Sequence, residues 1–136
     1  MSEKVLIVDD EKDFLDIMAE RMRARGMDVS TTTSAEIAIK MVEEESYDAV
    51  VMDFMMPGMD GFQTLKTLKE IKPELQIILL TGNVPEEKCT EAIALGAMDI
   101  IEKPADLEEL AEKIKNAKTQ RKSISQKNRP RKKSKI

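Results

Sequence analysis

The chain has 136 residues, of which 41% are hydrophobic and 35% charged, a size and balance that suit one globular domain with its own core. It has no histidine, one cysteine and 3% aromatic residues. These counts exclude histidine-based triads and phosphocarriers, most zinc sites, an internal disulfide, and an aromatic platform for single-stranded nucleic acid. The net charge of −4 conceals a division: residues 1–118 carry 14 basic and 26 acidic side chains, and residues 119–136 carry 8 basic and none acidic.

No run of eighteen apolar residues and no charged-then-apolar leader occurs, which predicts a cytoplasmic protein with no membrane insertion. In chain order, Lys4 to Val8 reads as a buried strand stopped by Asp9-Asp10. A helix is predicted from Lys12, with Leu15, Met18 and Met22 on one face and Gly26 ending it. Residues 27–32 form a second, β-branched strand, and Ser34 caps a helix that buries Ala38, Ile39 and Val42.

Residues 48–52 read as a third buried strand, after which Asp53 stands where the chain leaves the core. Pro57-Gly58 is turn chemistry, and Asp60-Gly61 starts a helix with Phe62, Leu65 and Leu68 that ends near Ile71. Beyond Pro73, residues 76–80 form a fourth strand, stopped by Thr81-Gly82-Asn83. Pro85 fits the first turn of a fourth helix closed by Gly96, and Cys89 within it is expected to be a small core residue. Residues 98–101 make a short fifth strand before Glu102-Lys103-Pro104. The last helix starts near Asp106 and buries Leu107, Leu110, Ala111 and Ile114. From Thr119 the apolar period vanishes, so residues 1–118 are expected to be the domain and 119–136 a disordered basic tail.

Five rounds of strand then helix predict an α/β fold with a parallel sheet covered on both faces. In such a sheet ligands sit beyond the carboxyl ends of the strands. Four of the five strands end in polar or reactive residues: Asp9-Asp10, Asp53, Thr81 and Lys103. Taken singly, each is an ordinary turn or surface residue. Together they form a phosphoryl site if the first and third strands are neighbours. Three converging carboxylates repel one another unless a cation compensates, which implies Mg2+. Lys103 offers a point charge for a phosphate oxygen, Thr81 a hydroxyl donor, and Asp53 a carboxylate nucleophile.

These marks are Val8-Asp9-Asp10-Glu11, the run from Met52 to Gly61, Leu80-Thr81-Gly82, and Gly96-Ala97 followed by Lys103-Pro104. On them, residues 3–118 resemble the receiver domain of bacterial two-component response regulators, of the single-domain chemotaxis-receiver type. The resemblance implies a flavodoxin-like (βα)5 three-layer sandwich whose five parallel strands run in the order 2-1-3-4-5. It implies Asp53 as phospho-acceptor, and Asp9, Asp10, Asp53 and the backbone carbonyl of Met55 as Mg2+ ligands. It further implies Thr81 as the switch hydroxyl, Lys103 as the phosphate-binding lysine, and a cis Lys103–Pro104 peptide. Two positions depart from the family's commonest pattern. Ile100 stands where an aromatic residue is usual, and Met55 where many members carry a polar one; Met55 and Asn83 flank the path of an attacking water.

The partners so implied are a sensor histidine kinase or phosphotransfer protein, and a downstream protein at the face of helix four, strand five and helix five. Lesser expectations are a weak homodimer and a nucleic-acid contact through the basic tail. No turnover enzyme is expected, only self-phosphorylation and self-dephosphorylation. A stand-alone receiver is favoured over a fragment of a larger transcriptional regulator. An aspartate-dependent phosphatase of the haloacid dehalogenase type is disfavoured, because that class spaces its two aspartates two residues apart and needs a cap domain. A receiver-like module that binds without phosphorylation is disfavoured too, since every acceptor-site position is intact.

Overall fold

The computed structural model describes residues 3–58, 60–82 and 84–127, the last seven by backbone alone. The elements alternate throughout: β1 (Lys4–Val8), α1 (Lys12–Ala24), β2 (Asp28–Thr32), α2 (Ala35–Glu44), β3 (Ala49–Asp53), α3 (Gly61–Ile71), β4 (Ile77–Thr81), α4 (Glu86–Ala94), β5 (Asp99–Glu102) and α5 (Leu107–Lys127). All strand pairs are parallel and the order is β2-β1-β3-β4-β5, the flavodoxin-like arrangement. Every residue of β3 and β4 is buried, whereas the edge strands β2 and β5 are only partly so.

The two-residue strand period divides the core into two layers. Val5, Ile7, Val51, Ile78 and Leu80 point to the side where Leu15, Met18 and Met22 of α1 and Leu110 and Ile114 of α5 pack. Leu6, Val8, Val50, Met52, Ile77 and Leu79 face Ala38 and Val42 of α2, Leu65 and Leu68 of α3, and Ala92 of α4. Ile39, Phe62 and Leu107, expected inside, lie half-buried at the margins of these layers. Cys89, expected in the core, is also only half-buried, because α4 turns Ala92 alone fully inward.

Local chemistry sets the helix ends. Ser34 Oγ accepts from the Ile37 amide at 3.2 Å, and Asp60 Oδ1 from the Gln63 amide at 3.1 Å. Gly26 closes α1 with φ +90°, a left-handed conformation that costs glycine little. Gly61 answers a different need, since a Cβ there would lie 2.6 Å from the Phe54 carbonyl oxygen.

The disorder expected from Thr119 is corrected for residues 119–127: α5 runs on to Lys127. The apolar stripe stops, but lysine, arginine and glutamine are good helix formers, and the first proline comes only at Pro130. The rest of the expected tail, 128–136, lies outside the described residues. Among the described residues no helix is long and apolar enough to cross a membrane.

Candidate phosphoryl site at the carboxyl edge of the sheet

The register brings the strand ends level. Val8 pairs with Met52, Asp53 with Leu80, and Thr81 with Glu102, so Asp9, Asp53, Thr81 and Lys103 leave the sheet side by side. The order reverses between β1 and β3, whose connections run to opposite faces, and that divergence opens a crevice at their carboxyl ends.

Asp9 is fully buried and Asp53 nearly so, while Asp10 is exposed. Carboxylate oxygens of the three lie within 4.8 Å of one another. Lys103 bridges two of them, its Nζ donating to Asp9 Oδ2 at 2.9 Å and Asp53 Oδ2 at 3.2 Å. The other oxygens are held by the main chain: Asp9 Oδ1 accepts from the Glu11 amide at 2.9 Å and Asp53 Oδ1 from the Met55 amide at 3.0 Å. Asp53 is thus held from both sides. The Lys103 amide donates to the Thr81 carbonyl at 2.7 Å, tying the lysine to the end of β4, where Thr81 is buried. The Lys103–Pro104 peptide is cis, as expected.

Burial pushes the Lys103 ammonium down, but hydrogen bonds to Asp9 and Asp53 and their negative charge outweigh it, so its pKa rises above the ordinary 10.5. One ammonium does not balance three carboxylates. At neutral pH a formal surplus of two negative charges remains in the crevice, carried by hard oxygen donors of which one is exposed for entry. That donor set fits a divalent oxygen-seeking ion such as Mg2+, with Asp9, Asp10 and Asp53 to hold it.

The carboxylates of Asp9, Asp10 and Asp53 and the Lys103 ammonium therefore meet, Thr81 is buried at the end of the adjacent strand, and Asn83 lies outside the described residues. Met55 contributes its amide to Asp53 and turns an exposed side chain outward. Ile100 is half-buried against the α2–α3–α4 layer. Two neighbours had no assigned role: Glu11, 3.7 Å from Lys103, and Phe14, whose ring lies under the same ammonium. Helical spacing placed Phe14 one turn from Met18 on the inner face of α1, the signal that could have found it. Beside the site, a cavity of about 680 Å³ lies between the β3–α3 loop and Lys88 of α4. Phe54 and Phe62 line it, packed edge to face at 4.9 Å.

The family model for the response regulator receiver domain matches residues 5–115. Response regulator SaeR of Staphylococcus aureus is 37% identical over 118 residues, covering 87% of this chain and 51% of that protein. The chain thus spans about half the length of such curated relatives. A response regulator receiver domain protein from Clostridium thermocellum superposes with TM-score 0.85 at 29% identity, covering 90% of this chain and 98% of that one. A CheY-like receiver domain protein from Methanospirillum hungatei does so with TM-score 0.85 at 26% identity, covering 91% and 99%.

Proposed function

The chain belongs to the response regulator receiver domain family, and from that premise we propose that Asp53 accepts a phosphoryl group from the phosphohistidine of a sensor kinase or phosphotransfer protein. The observation that carries this reading is the aim of Asp53: one oxygen held by the Met55 amide, the other by Lys103, beside two further carboxylates. An Asp53 oxygen attacks phosphorus in line, the P–N bond breaks, and the donor imidazole leaves with that bond's electron pair. Lys103 pairs with a phosphoryl oxygen as charge develops. Mg2+ held by Asp9, Asp10, Asp53 and the Met55 carbonyl would neutralise the remaining phosphoryl charge.

Thr81, buried at the end of the adjacent strand, donates its hydroxyl to the new phosphoryl group. That shifts a pre-existing equilibrium at the α4–β5–α5 face, where a downstream protein docks. The thin anchoring of α4, with Ala92 alone fully buried, supports this face as the one that moves. Ile100 offers a smaller repacking than a rotating aromatic ring. The reading places the protein in the cytoplasm, with no chemistry beyond gaining and losing its own phosphoryl group.

The test is acid-labile labelling by acetyl phosphate with Mg2+. Wild type is labelled and Asp53→Asn is not; equal labelling of the two would falsify the assignment. A second reading, a receiver within a longer regulator, is favoured by the coverage of only 51% of the SaeR relative. Reading the parent gene past the Ile136 codon decides it.

A further inference from the structure

The Lys103 ammonium faces Asp9, Asp53 and, more distantly, Glu11. Its remaining side lies over the ring of Phe14, 4.8 Å from the centroid. A cation within about 6 Å of a ring centroid is drawn to the negative face of the π system, more strongly where water is excluded. The contact is partly shielded from water, because the Asp9 side chain is 0% exposed and that of Lys103 21%. Phe14 is itself half-buried in the first turn of α1, against the layer formed with α5. The first turn of α1 and the residue that follows β5, far apart in sequence, therefore meet at this contact.

We propose that Phe14 is a positioning residue for phosphoryl transfer, its ring face holding the Lys103 ammonium at the Asp53 carboxylate before phosphoryl oxygens arrive. The role rests on Asp53 being the acceptor. A lysine ammonium rides on a flexible four-carbon stem and is strongly hydrated, so something must keep it at its post when its hydrogen-bond partners change. Carboxylates cannot do this alone, because the reaction consumes the free charge of Asp53. The ring can, because it engages the cation without taking a particular N–H. All three donors stay free to turn from Asp9 and Asp53 toward a phosphate. A leucine at this position would fill much the same space against α5 but present no negative face.

The test compares Phe14→Leu and Phe14→Tyr in the full chain, with two readouts. Without Mg2+ or phosphodonor, proton–carbon NMR should show the Lys103 ε-methylene shifted upfield by the ring current. Phe14→Tyr should keep that shift and Phe14→Leu should lose it, with Lys103→Arg assigning the signal. With fixed acetyl phosphate and Mg2+, labelling of Phe14→Leu should slow about 5-fold, the size expected of a partly exposed cation–π contact, while Phe14→Tyr stays within about 2-fold of wild type. Should Phe14→Leu fail to fold, Phe14→Met takes its place. An unshifted wild-type signal overturns the proposal, as do unchanged labelling in the aliphatic variant and equal slowing of both variants. Normal wild-type labelling with any of these results defeats the positioning role alone. A wild type that takes no label defeats the acceptor reading and this role with it.

Discussion

Both rims of the sheet carry charged residues, yet the carboxyl rim gathers three carboxylates around a single lysine. At the amino rim Lys4, Asp48 and Lys69 each find a local partner. Asp48 accepts from the Lys4 amide at 2.8 Å, Lys4 Nζ meets Glu45 at 2.5 Å, and Lys69 donates to the carbonyls of Pro73 and Leu75. At the carboxyl rim three carboxylates share one lysine. Even the aromatic contact recurs, with Lys4 5.4 Å from the Tyr47 ring centroid and Lys103 4.8 Å from that of Phe14. Charges at strand ends are therefore no signal in themselves. What distinguishes a site is charge the fold gathers and leaves unbalanced, because only that can be satisfied by something arriving from solution.

The sharpest way to break the contrast is Lys103→Met. It leaves Asp9 and Asp53 buried without their cation, and it should cost about 3 kcal/mol in urea unfolding without Mg2+. That figure sits at the low end of the range because the Lys103 side chain is one-fifth exposed. A loss below about 1 kcal/mol would mean the carboxyl rim is no more strained than the amino rim.

Mg2+ should come next. At a hundredfold excess over its dissociation constant it stabilises by about 2.7 kcal/mol, provided it binds only the folded chain. Asp10→Asn should remove most of that gain, while Glu45→Gln at the other rim should leave it intact. Calorimetric melting with and without Mg2+ reads both.

The two lysines should also respond oppositely to alkali. Lys103 is raised in the folded state, so its contribution is complete below about pH 10.4 and is lost as pH climbs through its higher folded value. Lys69 is lowered by burial, so the folded state releases its proton first and stability rises with pH up to about 10.4. The stability difference between wild type and Lys103→Met should therefore shrink above about pH 10.4, and that between wild type and Lys69→Met should not. The smallest effect belongs to Lys4→Met, whose exposed ion pair should matter by less than about 1 kcal/mol in the same unfolding measurement.

The sheet was legible because strands of buried β-branched residues and helices of 3.6-residue period repeat five times with glycine or proline at the joins. Strand ends shifted by one residue, within the usual uncertainty of a boundary. The end of α5 was misplaced for a definite reason: the apolar stripe ends where the helix stops packing, while helix propensity carries the backbone further. Asp9, Asp10, Asp53, Thr81 and Lys103 could be nominated only as a set, since each stands at or just past the end of a strand and their chemistry is complementary.

What the chain determined by itself is which residues stand at the strand ends and which face of each element is apolar, because those follow from local periodicity and turn chemistry. Only the tertiary structure decided that β1 and β3 are neighbours in register, and hence that residues 44 positions apart share one lysine a further 50 along. It alone seated Phe14 beneath that lysine, and at the opposite rim it paired the Lys4 ammonium with Glu45 and the Lys4 amide with Asp48. The physical reason is that charge balance belongs to a volume of space. A sequence fixes the charges, and strand pairing fixes the volume that holds them.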